Sequence, residues 1–277
     1  TGTGAISSGF ASGIYTQTTA GGLTTLNIAN NVTGTGVFFG AVAASGVNGL
    51  TTVNMTAGTV AGNVAAIEAN SFGTGGVRIN MTGGSIGTSA AATGGNSGIF
   101  AQSSGAAGDV SVTSGQVFAK YLGVYAGISN AASTGNIQID ANGAIVTTTT
   151  PVTTSQAGIY AGNFGNGTTT VNVNASVVSL VNDAVGVSAT GLGNGAVTVN
   201  VGADVNVGLN ANSRAVTAGG TNGTTTINMT AGTIQTGGDA LRAASLGTGN
   251  VVVNMTGGQI GGARNTRPTP VSVPPVP

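Results

Sequence analysis

Three observations predict an all-β chain wound as a single parallel β-helix of about nine triangular coils, each of roughly 28 residues. One phrase returns along the chain: TTVNMTAGTVAG at Thr51–Gly62, GVRINMTGGSIG at Gly76–Gly87, TTINMTAGTIQT at Thr225–Thr236 and VVVNMTGGQIGG at Val251–Gly262. Inside each phrase apolar residues alternate with Asn and Thr, the period of a strand with one buried face. Gly, Asn and Thr clusters then punctuate every short apolar run, and no window carries a helical period.

Aligning the phrase on its asparagine sets Asn27, Asn54, Asn80, Asp140, Asn172, Asn200, Asn228 and Asn254 in one column. A degenerate copy, DVSVTSGQV (Asp109–Val117), puts Thr113 nearest the Asn position between Asn80 and Asp140. The steps are 27, 26, 33, 27, 32, 28, 28 and 26 residues. Such a period marks a solenoid, in which each repeat buries its apolar face only against its neighbours.

Each period holds three short strands. The first reads Gly-Φ-x-Ala, as in GIFA (Gly98–Ala101), GVYA (Gly123–Ala126) and GIYA (Gly158–Ala161). A turn such as FGNG (Phe164–Gly167) or LGNG (Leu192–Gly195) leads to the T-Φ-N-Φ strand, and a GTI or GQI strand completes the coil. Alternation turns the neighbours of the Asn inward, so Met55, Met81, Met229 and Met255 are expected to stack in the core. The Asn column then faces outward or into a corner, where successive coils lie about 4.8 Å apart and the amides can bond coil to coil. The eight NxS/T sequons follow from this Thr-Asn-Thr face and are read as structural. Nine coils at that spacing give a rod roughly 45 Å long.

Longer steps mark two insertions, TSAAATGGNS (Thr88–Ser97) and TTTTPVTTSQ (Thr147–Gln156), both expected to bulge from one corner after the third strand. The predicted β-helix spans 1–266. Residues 267–277, RPTPVSVPPVP, hold every proline but Pro151 and favour an extended arm: Arg267, Pro268, Pro270, Pro274, Pro275 and Pro277 are candidate assembly residues.

Composition excludes several functions. Six basic and six acidic residues lie scattered, so no patch attracts nucleic acid. No run of eighteen apolar residues could form a membrane helix. Seven Phe, four Tyr and no Trp are too few for the girdles of a membrane barrel. Gly is abundant at 51 residues but lacks the collagen period, and 40% apolar residues in regular alternation argue against disorder. With no Cys and no His, disulfides, His-based triads and the commonest metal ligands are absent. The acids Glu68, Asp109, Asp140, Asp183, Asp204 and Asp239 fall in different columns, whereas carbohydrate cleavage needs a carboxylate pair. GGDA (Gly237–Ala240) resembles a fragment of a calcium repeat but does not recur. The expectation is therefore no enzyme, no cofactor and no metal.

Three surface columns remain. The x position of the first strand runs Tyr15, Phe100, Tyr125, Tyr160, Ser188, Thr217 and Arg242. Phe100, Tyr125 and Tyr160 are in consecutive coils and should form an outward ladder, which either grips sugar rings or a partner surface, or simply ties coils together. Arg214 and Asp239 occupy equivalent places in adjacent coils and should form a lateral ion pair of little energetic weight. A Thr-rich column, Thr25, Thr52, Thr170, Thr198 and Thr226, has the style of ice-binding solenoids, but Arg78 and Gln138 interrupt it.

The GIYA–GNG–TVNVN grammar, the missing Cys and the Pro-rich segment resemble passenger regions of bacterial type V autotransporters, over nearly the whole chain and in repeat style only. The resemblance implies a secreted, right-handed β-helix at the bacterial cell surface, working in adhesion or self-association. TGTGAISSGF has neither the basic start nor the apolar core of a leader, and no translocator barrel follows, so a processed passenger or fragment is expected. A start within a third-strand-like segment, with no cap, invites end-to-end pairing. Two functions follow as expectations: a structural rod or filament subunit whose partner is itself, and an adhesin passenger whose partner is a surface glycan or host surface.

Overall fold

The computed structural model describes residues 5–9, 11–36, 40–88, 95–148, 157–179 and 183–262. Among them the secondary structure is all β, in three parallel sheets that run the length of a solenoid. The Gly-Φ-x-Ala segments form the aromatic sheet, nine strands from Ile14–Gln17 to Asp239–Ser245. The T-Φ-N-Φ segments form the asparagine sheet, nine strands from Thr24–Ile28 to Val251–Met255. The third segments form the short-strand sheet, ten strands from Ile6–Ser8 to Gln259–Gly262. Each strand pairs with its counterparts in the coils before and after, so a coil such as Ala157–Asn163, Thr169–Val173 and Val177–Ser179 contributes once to every sheet.

The register follows the alignment residue for residue. Asn27 lies opposite Asn54, Asn54 opposite Asn80, and Asn172, Asn200, Asn228 and Asn254 follow in line. Thr113 takes the Asn place between Asn80 and Asp140. A one-residue slip would turn every Val and Ile outward, which is why this register is so firmly specified.

Inward positions stack into columns. Ile79, Val112, Ile139, Val171, Val199 and Ile227 form one of them, each 0% exposed. β-branched side chains suit this pleated, fully buried surface, and each such burial is worth about 1.5–3 kcal/mol. Met55, Met81 and Met229 are buried as expected, but Met255 is 48% exposed. Its parity is inward, yet among the described residues no later coil covers it. Val253 and Ile260, exposed at 49% and 47%, share its situation.

Corners explain the remaining grammar. Gly58, Gly84, Gly232 and Gly258 have φ of 85°, 79°, 82° and 79°, so the second small residue of each TAG or TGG turn must be glycine. The leading glycine of Gly-Φ-x-Ala has a different cause. At Gly158 an added Cβ would lie 2.5 Å from Val177 Cγ1 and 2.7 Å from the Gly186 carbonyl oxygen. Here two successive residues face inward, so the residue before them and the x residue after them both face out, as the burial of Arg214–Gly220 shows. Both insertions leave the corner after the short-strand sheet; their interiors, 89–94 and 149–156, lie outside the described residues.

Candidate functional site

The aromatic ladder forms on the outer face of its sheet. Phe100 is in register with Tyr125, and Tyr125 with Tyr160. The Phe100 and Tyr125 rings stack with centroids 4.5 Å apart and planes 4° from parallel; Tyr125 and Tyr160 stack at 5.5 Å and 7°. Stacking arises because parallel strands hold like residues one strand spacing apart, close to the distance at which offset rings attract. Each tyrosine leans along its own strand over a glycine two residues on. A Cβ on Gly127 would meet Tyr125 Oη at 2.5 Å, and one on Gly162 would meet Tyr160 Cε1 at 2.7 Å. The rings therefore cover outward-facing glycines that would otherwise bare their backbone. Burial, and secondarily the neighbouring Tyr160 phenol, pushes the Tyr125 phenol above its ordinary range. Ring faces inside the ladder are occupied by one another, so an approaching molecule meets ring edges and phenol oxygens.

The column continues past the rings. Toward the first coils it runs through Glu68, Ala43 and Tyr15, and beyond Tyr160 through Ser188, Thr217 and Arg242. The pattern Gly-Φ-x-Ala had skipped Ala43 and Glu68, because Ala41 and Ala66 stand where later coils carry glycine.

The asparagine column is hydrogen-bonded in two runs, Asn27–Asn54 and Asp140–Asn254, separated by Asn80 and Thr113. The Nδ2 of Asn54 donates to Asn27 Oδ1 at 2.9 Å, that of Asn172 to Asp140 Oδ1 at 2.6 Å, and that of Asn200 to Asn172 Oδ1 at 2.7 Å. Asn228 donates to Asn200, and Asn254 to Asn228, both at 2.9 Å. A second ladder went unforeseen at the corner turns: Asn194 donates to Asn166 at 3.0 Å and Asn222 to Asn194 at 2.9 Å. The signal was present in the repeated GNG and TNG triplets, but turn residues have no alternation from which to read a face.

The carboxylates are drawn into the same lattice. Asp140 also accepts from Gln138 Nε2 at 2.8 Å, Asp109 accepts from the Asn136 amide at 2.8 Å, Asp183 from Asn210 Nδ2 at 2.8 Å, and Asp204 from the Thr233 amide at 2.7 Å. The expected Arg214–Asp239 pair does not form. The two residues are in register, but the Asp239 carboxylate lies 3.9 Å from Arg242. The double inward step within the strand brings residues three apart to the same side, and Arg242 is the nearer cation. The Thr-rich column is in register as aligned, interrupted by Arg78 and Gln138. The candidate arm, Arg267 to Pro277, lies outside the described residues.

The fold and these ladders define a parallel β-solenoid whose outward side chains stack rung upon rung. Comparison with family models, with curated proteins and with solved structures returned no match to the chain.

Proposed function

We propose that the chain is a non-enzymatic structural and adhesive rod of the bacterial cell surface, comparable to an autotransporter passenger, that associates with further copies of itself end to end. The observation that carries this reading is the use made of the outward polar side chains. Asparagine and aspartate groups that in a binding site would point at a ligand instead bind the same groups of the next coil. Such ladders make the rod cohere along its axis and leave a wall of low charge and regular texture.

The alternative, an adhesin gripping glycans through Phe100, Tyr125 and Tyr160, is less well served by rings whose faces already touch.

Electron microscopy of the purified chain over a range of concentrations tests the proposal. Thin filaments with an axial repeat near the rod length are expected. Isolated short rods at every concentration would overturn the end-to-end part and shift attention to side-wall binding.

A further inference from the structure

The outer wall of the asparagine sheet is interrupted at one coil. Strand Val110–Ser114 comes from the degenerate repeat, and its outward positions carry Ser111 and Thr113. The coil before carries Arg78 and Asn80 at those places, and the coil after carries Gln138 and Asp140. A short side chain therefore stands between two long ones whose strands are two spacings, roughly 9.5 Å, apart. A groove of about 390 Å³ opens there, with Ser111 on its floor, Arg78 and Gln138 on its walls, and Asp109, Asn136 and Thr168 at the end where the strands begin. Ser111 is half-buried and the other five are exposed, so the floor is open to solvent.

The groove lies where the asparagine column breaks between its two runs, and its polar groups are only partly used. Among the described residues the ion pair formed is that of Arg242 with Asp239, so Arg78 and Asp109 share the groove without pairing. Neither the Arg78 guanidinium nor the Ser111 hydroxyl has a hydrogen-bond partner among those residues. Asp109 accepts the Asn136 amide at 2.8 Å and Asn136 Nδ2 at 3.2 Å through Oδ1 alone, which leaves Oδ2 for another donor. Gln138 gives Nε2 to Asp140 at 2.8 Å, so its Oε1 is likewise open. Asn136 in turn accepts from the Thr168 amide and hydroxyl, both at 2.9 Å, which makes that end of the groove a fixed edge.

We propose that this groove is a binding site for a hexuronate, the carboxylate-bearing sugar of an acidic polysaccharide. The free guanidinium presents a planar fork of N–H donors that matches a carboxylate two bonds at a time. Asp109 Oδ2 and Gln138 Oε1 accept from ring hydroxyls, and Ser111 Oγ can both give and accept. A neutral sugar would leave the guanidinium unanswered. A bare anion would leave the open oxygens unused, and a small zwitterion would engage the two charges but not the neutral groups between them.

The test is saturation-transfer NMR of methyl β-D-glucuronide with the 277-residue chain, a readout that works on single rods and filaments alike. Methyl β-D-glucoside, acetate and glycine serve as comparisons. The glucuronide should saturate with a dissociation constant on the order of 1–10 mM, as expected of one exposed bidentate pair and a few hydrogen bonds after the cost of binding. The glucoside, identical but for the carboxylate, should bind at least about tenfold more weakly, and Arg78→Gln should weaken the glucuronide about tenfold. Ser111→Gln fills the gap with the residue the next coil carries and should abolish binding. Both variants replace outward side chains without hydrogen-bond partners among the described residues, so the melting curve should not move. The site is refuted if the glucuronide does not saturate, if the glucoside, acetate or glycine matches it, or if either variant leaves its affinity intact. None of these results bears on filament formation, which microscopy reads separately.

Discussion

Replacing Tyr125 by serine removes the central rung of the aromatic ladder and puts there what the column itself carries at Ser188. Tyr125 makes both stacking contacts, at 4.5 Å to Phe100 and 5.5 Å to Tyr160, and its ring shields Gly127. Stacked pairs contribute about 0.5–1.5 kcal/mol each beyond their buried area, so the loss is about 1–3 kcal/mol. A solenoid is not expected to unfold in one step, because each coil touches only its neighbours. A global midpoint would therefore blur the effect, and native-state hydrogen exchange is the better assay. Amides of Leu122–Ile128 and of the flanking strands Ser97–Ser103 and Ala157–Asn163 should exchange about 5- to 150-fold faster. Amides of Thr225–Met229, three coils away, should be unchanged. Exchange altered less than about twofold at the ladder strands would show that the rings do not hold the coils together. A loss spread evenly along the rod would refute the nearest-neighbour picture of its stability.

Three further outcomes follow from the same geometry. Burial holds the Tyr125 phenol in its neutral form, so its contribution to stability is complete below the ordinary tyrosine pKa of about 10 and is lost as pH rises beyond it; Tyr125→Phe should flatten that alkaline decline in a series of melts. Gly158→Ala should destabilise by about 1–3 kcal/mol through overpacking against Val177 and the Gly186 carbonyl, and Val177→Ala in the same chain should recover part of it, measured as a double-mutant cycle. Deleting Arg267–Pro277 should abolish filaments seen by microscopy, while Phe100→Ser with Tyr160→Ser should leave them; the opposite result would favour an adhesin over a filament subunit.

Period and parity carried most of the fold. A residue two positions from another shares its face, and a residue one coil later lies beside it, so Phe100, Tyr125 and Tyr160 had to form one line, and even the poorly matching Thr113 found its place. What escaped this logic has physical causes. Ala43 and Glu68 looked unrelated to the column because Ala41 and Ala66 stand where the Tyr15 and Phe100 coils carry glycine. Arg214 and Asp239 were correctly aligned, but a register fixes Cα positions and leaves long side chains to choose among partners. Met255 has the parity of a core residue, yet burial also needs a layer above, which parity does not encode.

The asparagine ladder gives the rod a sense of direction. In every bond of the column the later coil supplies the N–H and the earlier coil the oxygen, from Asn54 and Asn27 to Asn254 and Asn228. Aligned amides polarise one another, so the run from Asp140 to Asn254 behaves as a chain of dipoles pointing one way. A coil that continues this order past Asn254 presents a donor. Two like ends meet this order only by turning an amide over or using its second N–H. A joint that keeps the order is heterologous, head to tail, and a contact of that symmetry propagates as an open strand unless it curves back into a ring.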